Sequence, residues 1–444
     1  MTHVSRPPYS WPPHSRPPQS WRRLSSAALV LLAVSFGAAP ALAGDVVIAE
    51  AVLASKSDGG KIVFKNITIK DGNLSQAEAT NLFTGALSRE DLGALLERME
   101  ASRVTIPEAE VQTEGGDHFT LRDIVAESIS HGGAQSLAVA SAEGVLPDDS
   151  GDASLKLGAL RIEKISMPGL AAALRAGDPG AAAFRFSHLG WDGGDLSAVD
   201  KATPAGAPGG NRVLLHFGAT TIDQNFDPDG APRDGSATMS GVNVKLPPQS
   251  KGGQTLAAFG YPELSGEFRF AGAYDSTAKT YALKTYALDL KNIGRIALSG
   301  QFSGVGRIVF DGDKEAREEA VRQVFLDWAQ IDVDNAGLFD KVVTFVALSQ
   351  GKAPDAVKAE WRAIVSQAPL LFSGAPAIAV ASQAVSKFIA DPKTLTLRLK
   401  GKDSPLKLDE FAHIEDPSAF LDRLEVTSAP APSSPAKPVS GTRL

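Results

Sequence analysis

The side chains whose types and spacing best suit inorganic chemistry are Asp223, Asn225, Asp227 and Asp229, which alternate and precede Gly230, with Asp234 a little beyond. Alternate oxygen donors in a turning loop are how proteins hold hard cations such as calcium. With Asp223 as the first ligand, Asp234 stands twelfth. The sixth position, however, is Pro228 where a calcium loop needs Gly, the twelfth is Asp rather than a bidentate Glu, and Pro232 stiffens the loop. The same run also reads as a solvated acidic connection between strands.

Other chemistry is thinner. His118, His131, His188, His216 and His413 contain no pair at i, i+2 or i, i+4, the local spacing often seen in histidine metal sites. They read as ordinary surface or sheet residues. No G-x-S-x-G elbow occurs, and Ser276 to Lys279, which fits S-x-x-K, falls where a hairpin turn is expected and water is hard to exclude. The stretch Pro204 to Gly210 contains two prolines and opens no periodic helix, so it reads as a loop rather than a phosphate cradle. No cofactor is expected. Carboxylate pairs for glycoside hydrolysis meet only in three dimensions, so a hydrolase with a dispersed carboxylate site stays open as an alternative.

The elements that would position these groups are mostly short strands. Alternation marks Leu160 to Ile162, Val242 to Leu246 and Ile296 to Leu298, each near Gly, Pro or Asp. Phe268-Arg269-Phe270 and Tyr281-Ala282-Leu283 flank Asp275-Ser276-Thr277, a hairpin signal. Tyr286, Leu288 and Leu290 then continue with parity shifted by one, which predicts a β-bulge near Lys284-Thr285. An internal echo joins Phe64, Ile67, Ile69, Gly72, Leu74 and Ser75 to Phe186, Leu189, Trp191, Gly194, Leu196 and Ser197 at a constant offset, each copy reading as strand, Gly turn, then a helix or turn start. Chance matching of two β-to-turn junctions explains it equally well.

Helices are expected over Gln76 to Met99, Pro168 to Ala176 and Asp313 to Arg322, with a strand at Ala329 to Val333. Three amphipathic helices follow. Their stripes are Leu338, Val342, Phe345 and Val346; Val357, Trp361, Ile364, Val365 and Ala368; and Ile378, Ser382, Val385 and Ile389. Gly351 and Gly374 mark their boundaries, and Thr394 to Leu399 returns to a strand. The expected fold is α+β: an elongated, mostly antiparallel β-sheet with a C-terminal three-helix insertion packed on it. Its parts are a signal peptide (1–43), a first β-rich half with a helical insertion (44–178), a second β-rich half (179–312), the helical insertion and closing strand (313–426), and a disordered Pro/Ser/Ala tail (427–444).

The leader sets the compartment. Four arginines and no acids precede the apolar run Ala27 to Phe36, and Ala41-Leu42-Ala43 fits the small-x-small rule for signal peptidase. Cleavage after Ala43 and a periplasmic location are expected, because this run is too short and too rich in small residues to anchor in a bilayer. Without the four leader arginines the 44 basic residues fall to 40, against 51 acidic ones, a net charge of −11. That sign disfavours nucleic acid or an anionic membrane as the main ligand. The chain has no cysteine, which removes disulfides, thiol chemistry and lipoprotein attachment.

The weak motifs Leu256 to Tyr261, Asn292 to Ile296 and Asp334 to Leu338 give the chain a texture that resembles uncharacterised β-rich periplasmic proteins of Gram-negative bacteria, loosely AsmA-like or YdgA-like. The resemblance implies envelope maintenance or lipid handling and carries no functional residues. The transmembrane anchor typical of AsmA-like proteins is not expected here. The reading carried forward is a non-catalytic envelope protein whose partner is a lipid or another envelope protein, held in an apolar groove lined by Phe345, Trp361 and Ile364. The competing reading of those helix stripes is that they simply fill a core.

Overall fold

A computed structural model describes residues 44–428, apart from 55–59, 131, 148–152, 168, 177–183, 205, 208–209, 313, 373, 413 and 415–416. The expected leader, nearly all of the expected tail, His131, Pro168 and His413 lie outside the described residues. The chain is β-rich. Its strands join in one large antiparallel sheet, with several helices toward the C-terminal end.

The sheet grows neighbour by neighbour. β1 (Gly44–Ala54), β2 (Lys61–Gly72), β3 (Ala101–Gln112) and β4 (His118–Ser130) pair in that order. Along β4 lie β5 (Gly133–Val139) and β6 (Ser141–Leu146), end to end. The same doubling continues through β7 (Ala153–Leu157) and β8 (Leu160–Ser166), β9 (His188–Trp191) and β10 (Gly194–Val199), and β11 (Arg212–Phe217) and β12 (Thr220–Phe226). Both files rejoin on β13 (Pro232–Lys245). Then β14 (Leu264–Asp275), β15 (Thr280–Leu290), β16 (Gly294–Ser303) and β17 (Phe325–Asn335) follow as antiparallel neighbours in chain order. β18 (Thr394–Gly401) and β19 (Leu406–Lys407) pair with β17, and β20 (Leu424–Thr427) pairs with β18. The ladder therefore crosses both boundaries expected near 178 and 312 without a break.

A crease explains the doubling. In β2 the buried residues are Ile62 and Phe64, then Ile67 and Ile69, and Asn66 between them has φ 55°. Asp123 in β4, at φ 49°, interrupts the alternation in the same way, and Asn and Asp tolerate this left-handed backbone better than most residues. Farther along, the strands part altogether. At Gly193, φ 97°, a Cβ would run into the Phe217 carbonyl oxygen, so only glycine permits this close approach. Hydrogen bonds bridge the crease, from Gly158 N to Gly193 O (2.8 Å) and from Gly218 N to Ser240 O (2.8 Å).

The hairpin at Asp275 forms as expected, with Asp275 opposite Thr280 and its carboxylate accepting from the Thr277 and Ala278 amides. Ser276 to Lys279 is thus a turn. The register slips between Leu283 and Tyr286, the predicted bulge. The internal echo does not persist beyond its glycines: Ser75 caps a helix, whereas Ser197 continues strand β10.

Helices α1 (Gln76–Thr84) and α2 (Arg89–Arg98) replace the single helix expected over Gln76 to Met99. Gly85 turns left-handed at φ 67°, and Ser88 starts anew by accepting from the Asp91 amide. With α3 (Leu170–Ala176) they supply Phe83, Leu96 and Leu170 to a core over β1 to β5 and β8, where the Phe64 and Phe83 rings meet edge-on at 5.4 Å. Next come α4 (Lys251–Ala258), α5 (Ile308–Asp311) and α6 (Lys314–Arg322). Between β17 and β18 lie α7 (Leu338–Gln350), α8 (Pro354–Leu371) and α9 (Pro376–Ala390), and α10 (Leu408–Ala412) and α11 (Pro417–Asp422) complete the set. Gly351 (φ 62°) ends α7, as the sequence suggested.

Candidate functional site

Residues directly opposite one another in antiparallel strands project from the same face. That rule makes the register informative. Val46 faces Ile69, Ile69 faces Val104, Val104 faces Ala126, Ala126 faces Leu137, and Leu137 faces Ile162. The row continues through Leu189, Ile222, Ala237, Phe270, Tyr286, Leu298, Ile331 and Leu397, each opposite the next. No polar residue interrupts it. At ~4.8 Å between strands its contour is about 60 Å. A second row on the same face runs Leu160, Trp191, Thr220, Met239, Phe268, Leu288, Ile296, Val333 and Leu395, with Thr220 its one polar member.

The two ends of these rows meet different fates. From Val46 to Ile162 the first row is buried beneath the core that α1 to α3 cover. From Leu189 onward its members are half-buried or exposed, and the two rows are most open where Tyr286 (48%) and Leu298 (40%) of the first lie beside Leu288 (43%) and Ile296 (51%) of the second. The Phe268 and Tyr286 rings pack edge-on at 5.2 Å on this floor. At one end of the strands Phe310 of α5 covers Tyr274, ring centroids 4.7 Å apart. At the other, Tyr261 Oη donates to the Asn292 carbonyl oxygen (2.9 Å), and Phe259 meets Phe345 of α7 at 5.2 Å. Between those two closures lies an apolar trough open to solvent. Contiguous exposed apolar surface of this kind makes the trough the candidate site.

The opposite face is charged. Lys65 bridges Glu108 (2.6 Å) and Glu110 (2.5 Å), and Arg122 also reaches Glu108 (2.8 Å). Hydrogen bonds donated to these carboxylates hold the Lys65 ammonium well above its ordinary pKa, and Lys65 holds Glu108 below the usual carboxylate range. Arg269 with Glu267 and Asp289, and Arg295 with Asp334, extend the pattern to β17. Such exposed pairs stabilise little, about 0–1 kcal/mol each, but they keep that face in water. The sheet thus has a charged side and an apolar side.

Two cross-strand pairs escaped the sequence reading, because only register brings them together. His188 Nδ1 lies 2.7 Å from Asp223 and His216 Nδ1 2.9 Å from Asp195, each pair directly opposed. Among the described residues no hydroxyl bonds either ring, and both pairs lie at the surface as cross-strand hydrogen bonds.

The expected cation loop is rearranged. Asp223 and Asn225 belong to β12, so their alternation is the period of a strand, and only Asp227 and Asp229 sit in the turn. Asp223 contacts His188, Asn225 donates to Asp234 (2.7 Å), and Asp229 pairs with Arg307 (3.0 Å). Among the described residues no three His, Asp or Glu side chains gather as a metal would require.

The three expected groove residues do not share one surface. Trp361 packs its ring edge-on to Phe339 at 5.9 Å, beside Val343, Ala347 and Val357 between α7 and α8. Phe345 closes the end of the trough against Phe259, and Ile364 is exposed on α8. The α7 stripe is also rotated: Val343 and Ala347 are buried, where Val342 and Phe345 were expected, because Val342, Val343, Phe345, Val346 and Ala347 crowd apolar groups onto neighbouring faces and the period alone cannot fix which one is buried.

A family model described as "Uncharacterized protein" matches residues 287–429, from β15 through β20. Comparison with curated proteins found no match. Among the described residues no helix is long and apolar enough to cross a membrane.

Proposed function

We infer that this protein is a non-catalytic factor of the bacterial cell envelope that holds a lipid along the apolar trough of its sheet. One observation carries the reading: the cross-strand row from Val46 to Leu397 stays apolar over its whole length, yet only its first part is covered by helices. A sheet face that only filled a core would be covered throughout. An acyl chain matches such a surface, because it is extended, apolar and tolerant of a floor that lacks polar anchors.

In this reading α7 to α9 form an insertion that closes one end of the trough, and Phe345 is its wall. The leader's arginines, apolar run and Ala41-Leu42-Ala43 support export to the periplasm, where an envelope lipid is at hand. The resemblance to AsmA-like and YdgA-like proteins points the same way.

The test is native mass spectrometry, with lipid extraction, of protein purified from the periplasm of its own host. Co-purifying lipid near one per chain is the expected result. A clean apo mass, together with no uptake of a fluorescent fatty acid, would overturn the reading.

A further inference from the structure

The α8–α9 hairpin carries a feature that the trough does not explain. No Asp, Glu, Lys or Arg occurs between Arg362 and Lys387, a stretch that takes in the second half of α8, the turn, and most of α9. At the end of α8, Leu370 is 81% exposed and Leu371 78%, and Ile364 two turns earlier is also exposed. A helix end this apolar would ordinarily be buried. The two bracketing cations, far apart in sequence, line one cleft of about 440 Å³ together with Ser366, Ser382 and Gln383.

Charge sets these cations apart. Just before them in α8, Lys358 pairs with Asp340 (3.3 Å), and Lys352 pairs with Glu360 (2.6 Å). Among the described residues no carboxylate pairs with Arg362 or Lys387, although acids outnumber bases in this chain, 51 to 44. Unpaired cations ringed by hydroxyls beside exposed leucines suit a surface with phosphates above and hydrocarbon below.

We propose that the α8–α9 hairpin is a membrane-docking element, whose Leu370-Leu371 tip enters one leaflet of a phospholipid bilayer while Arg362 and Lys387 meet the phosphates. The dimensions agree. From Arg362 to Leu371 the helix rises about 14 Å at 1.5 Å per residue, close to half of the roughly 30 Å hydrocarbon core. The hairpin reaches into one leaflet without crossing it. Since α9 packs on β18 and β20, docking would bring the Leu397 end of the apolar row toward the bilayer. The docking itself does not depend on what the trough holds.

The test is co-flotation of the full chain with vesicles of phosphatidylethanolamine and phosphatidylglycerol, and with phosphatidylcholine alone for comparison. The chain should float, and the local Arg362 and Lys387 charges should make it float more strongly with the anionic lipid despite the net negative charge of the whole chain. Leu370→Asp with Leu371→Asp, and separately Arg362→Glu with Lys387→Glu, should each lower the bound fraction about tenfold or more. Unchanged melting curves would show that both variants remain folded. Failure of the wild-type chain to float, or variants that float as well as wild type, would overturn the proposal. So would sedimentation showing that the leucine variant abolishes a self-association in vesicle-free solution, which would make the tip a contact between copies. Vesicle binding is read independently of lipid carried in the trough, so failure here leaves the trough reading standing, and the converse holds.

Discussion

Tyr286 on β15 and Leu298 on β16 stand directly opposite each other in the uncovered part of the apolar row, toward its Leu397 end, and both remain nearly half exposed. Each has an apolar partner on its other side as well, Phe270 and Ile331. The pair therefore marks the open floor of the trough rather than a stray surface contact.

Leu298→Glu would place a charge on that floor at little structural cost, because the position is already exposed; stability should change by about 0.5 kcal/mol or less. Affinity for a fluorescent fatty acid should fall about tenfold, since the charge must be desolvated under the chain. Leu214→Glu, exposed on the opposite face, is the control and should leave binding intact. Equal loss from both substitutions would place binding elsewhere.

Packing and exposure separate two neighbours on α8. Trp361→Ala removes a half-buried ring that contacts Phe339 and should cost about 2–3 kcal/mol, below the range for a fully buried tryptophan. Ile364→Ala, at an exposed site, should stay within about 0.5 kcal/mol. Denaturant titration of the two variants measures the contrast, and similar costs would show that Trp361 is not packed between α7 and α8.

Thr220 is buried in the second apolar row between Trp191 and Met239, and its hydroxyl has no hydrogen-bond partner among the described residues. Thr220→Val keeps the shape and removes the unmet group. It should stabilise the fold by about 1 kcal/mol. A loss of that size in chemical denaturation would mean that the hydroxyl is satisfied in solution.

Glu78 closes the capping box of α1. The Ser75 amide donates to it at 2.9 Å, and with the Ser75 hydroxyl and Arg98 this holds the carboxyl down to about 2, from an ordinary 4.5. A carboxyl depressed in the native state adds stability that is fully present above its unfolded value and is lost as pH falls toward the folded one. The stability gap between wild type and Glu78→Gln should therefore be constant at neutral pH, shrink below about pH 4.5 and close near pH 2. Its size is reduced by solvent screening, because the side chain is about one third exposed. A gap that widens on acidification contradicts the sign.

Much of the local structure is legible from neighbours in the chain. Leu160 to Ile162 and Ile296 to Leu298 alternate and fall in strands, and Val242 to Leu246 does so up to Lys245, where β13 ends one residue early. The parity slip before Tyr286 locates a bulge, and Gly351 locates a helix end, because each depends on a few adjacent residues. Where the local signal is ambiguous the reading slips. A continuous helical pattern conceals the break at Gly85, and apolar residues on neighbouring faces hide which one α7 buries.

The sequence by itself determined that the chain would form amphipathic strands, carry no cysteine chemistry, and interrupt its strands with apolar helices before β18, because composition and period are properties of short windows. Only the tertiary structure decided that the strands join into one sheet, that Val46 and Leu397 belong to one row, and that helices cover one end of it and leave Tyr286 and Leu298 open. Register between strands is fixed by pairing over long separations, and exposure by what packs above the finished sheet. The same reason separates Asp223 from Asp229. Alternation suggested a common ligand loop, whereas strand pairing gives Asp223 to His188 and chain reversal gives Asp229 to Arg307.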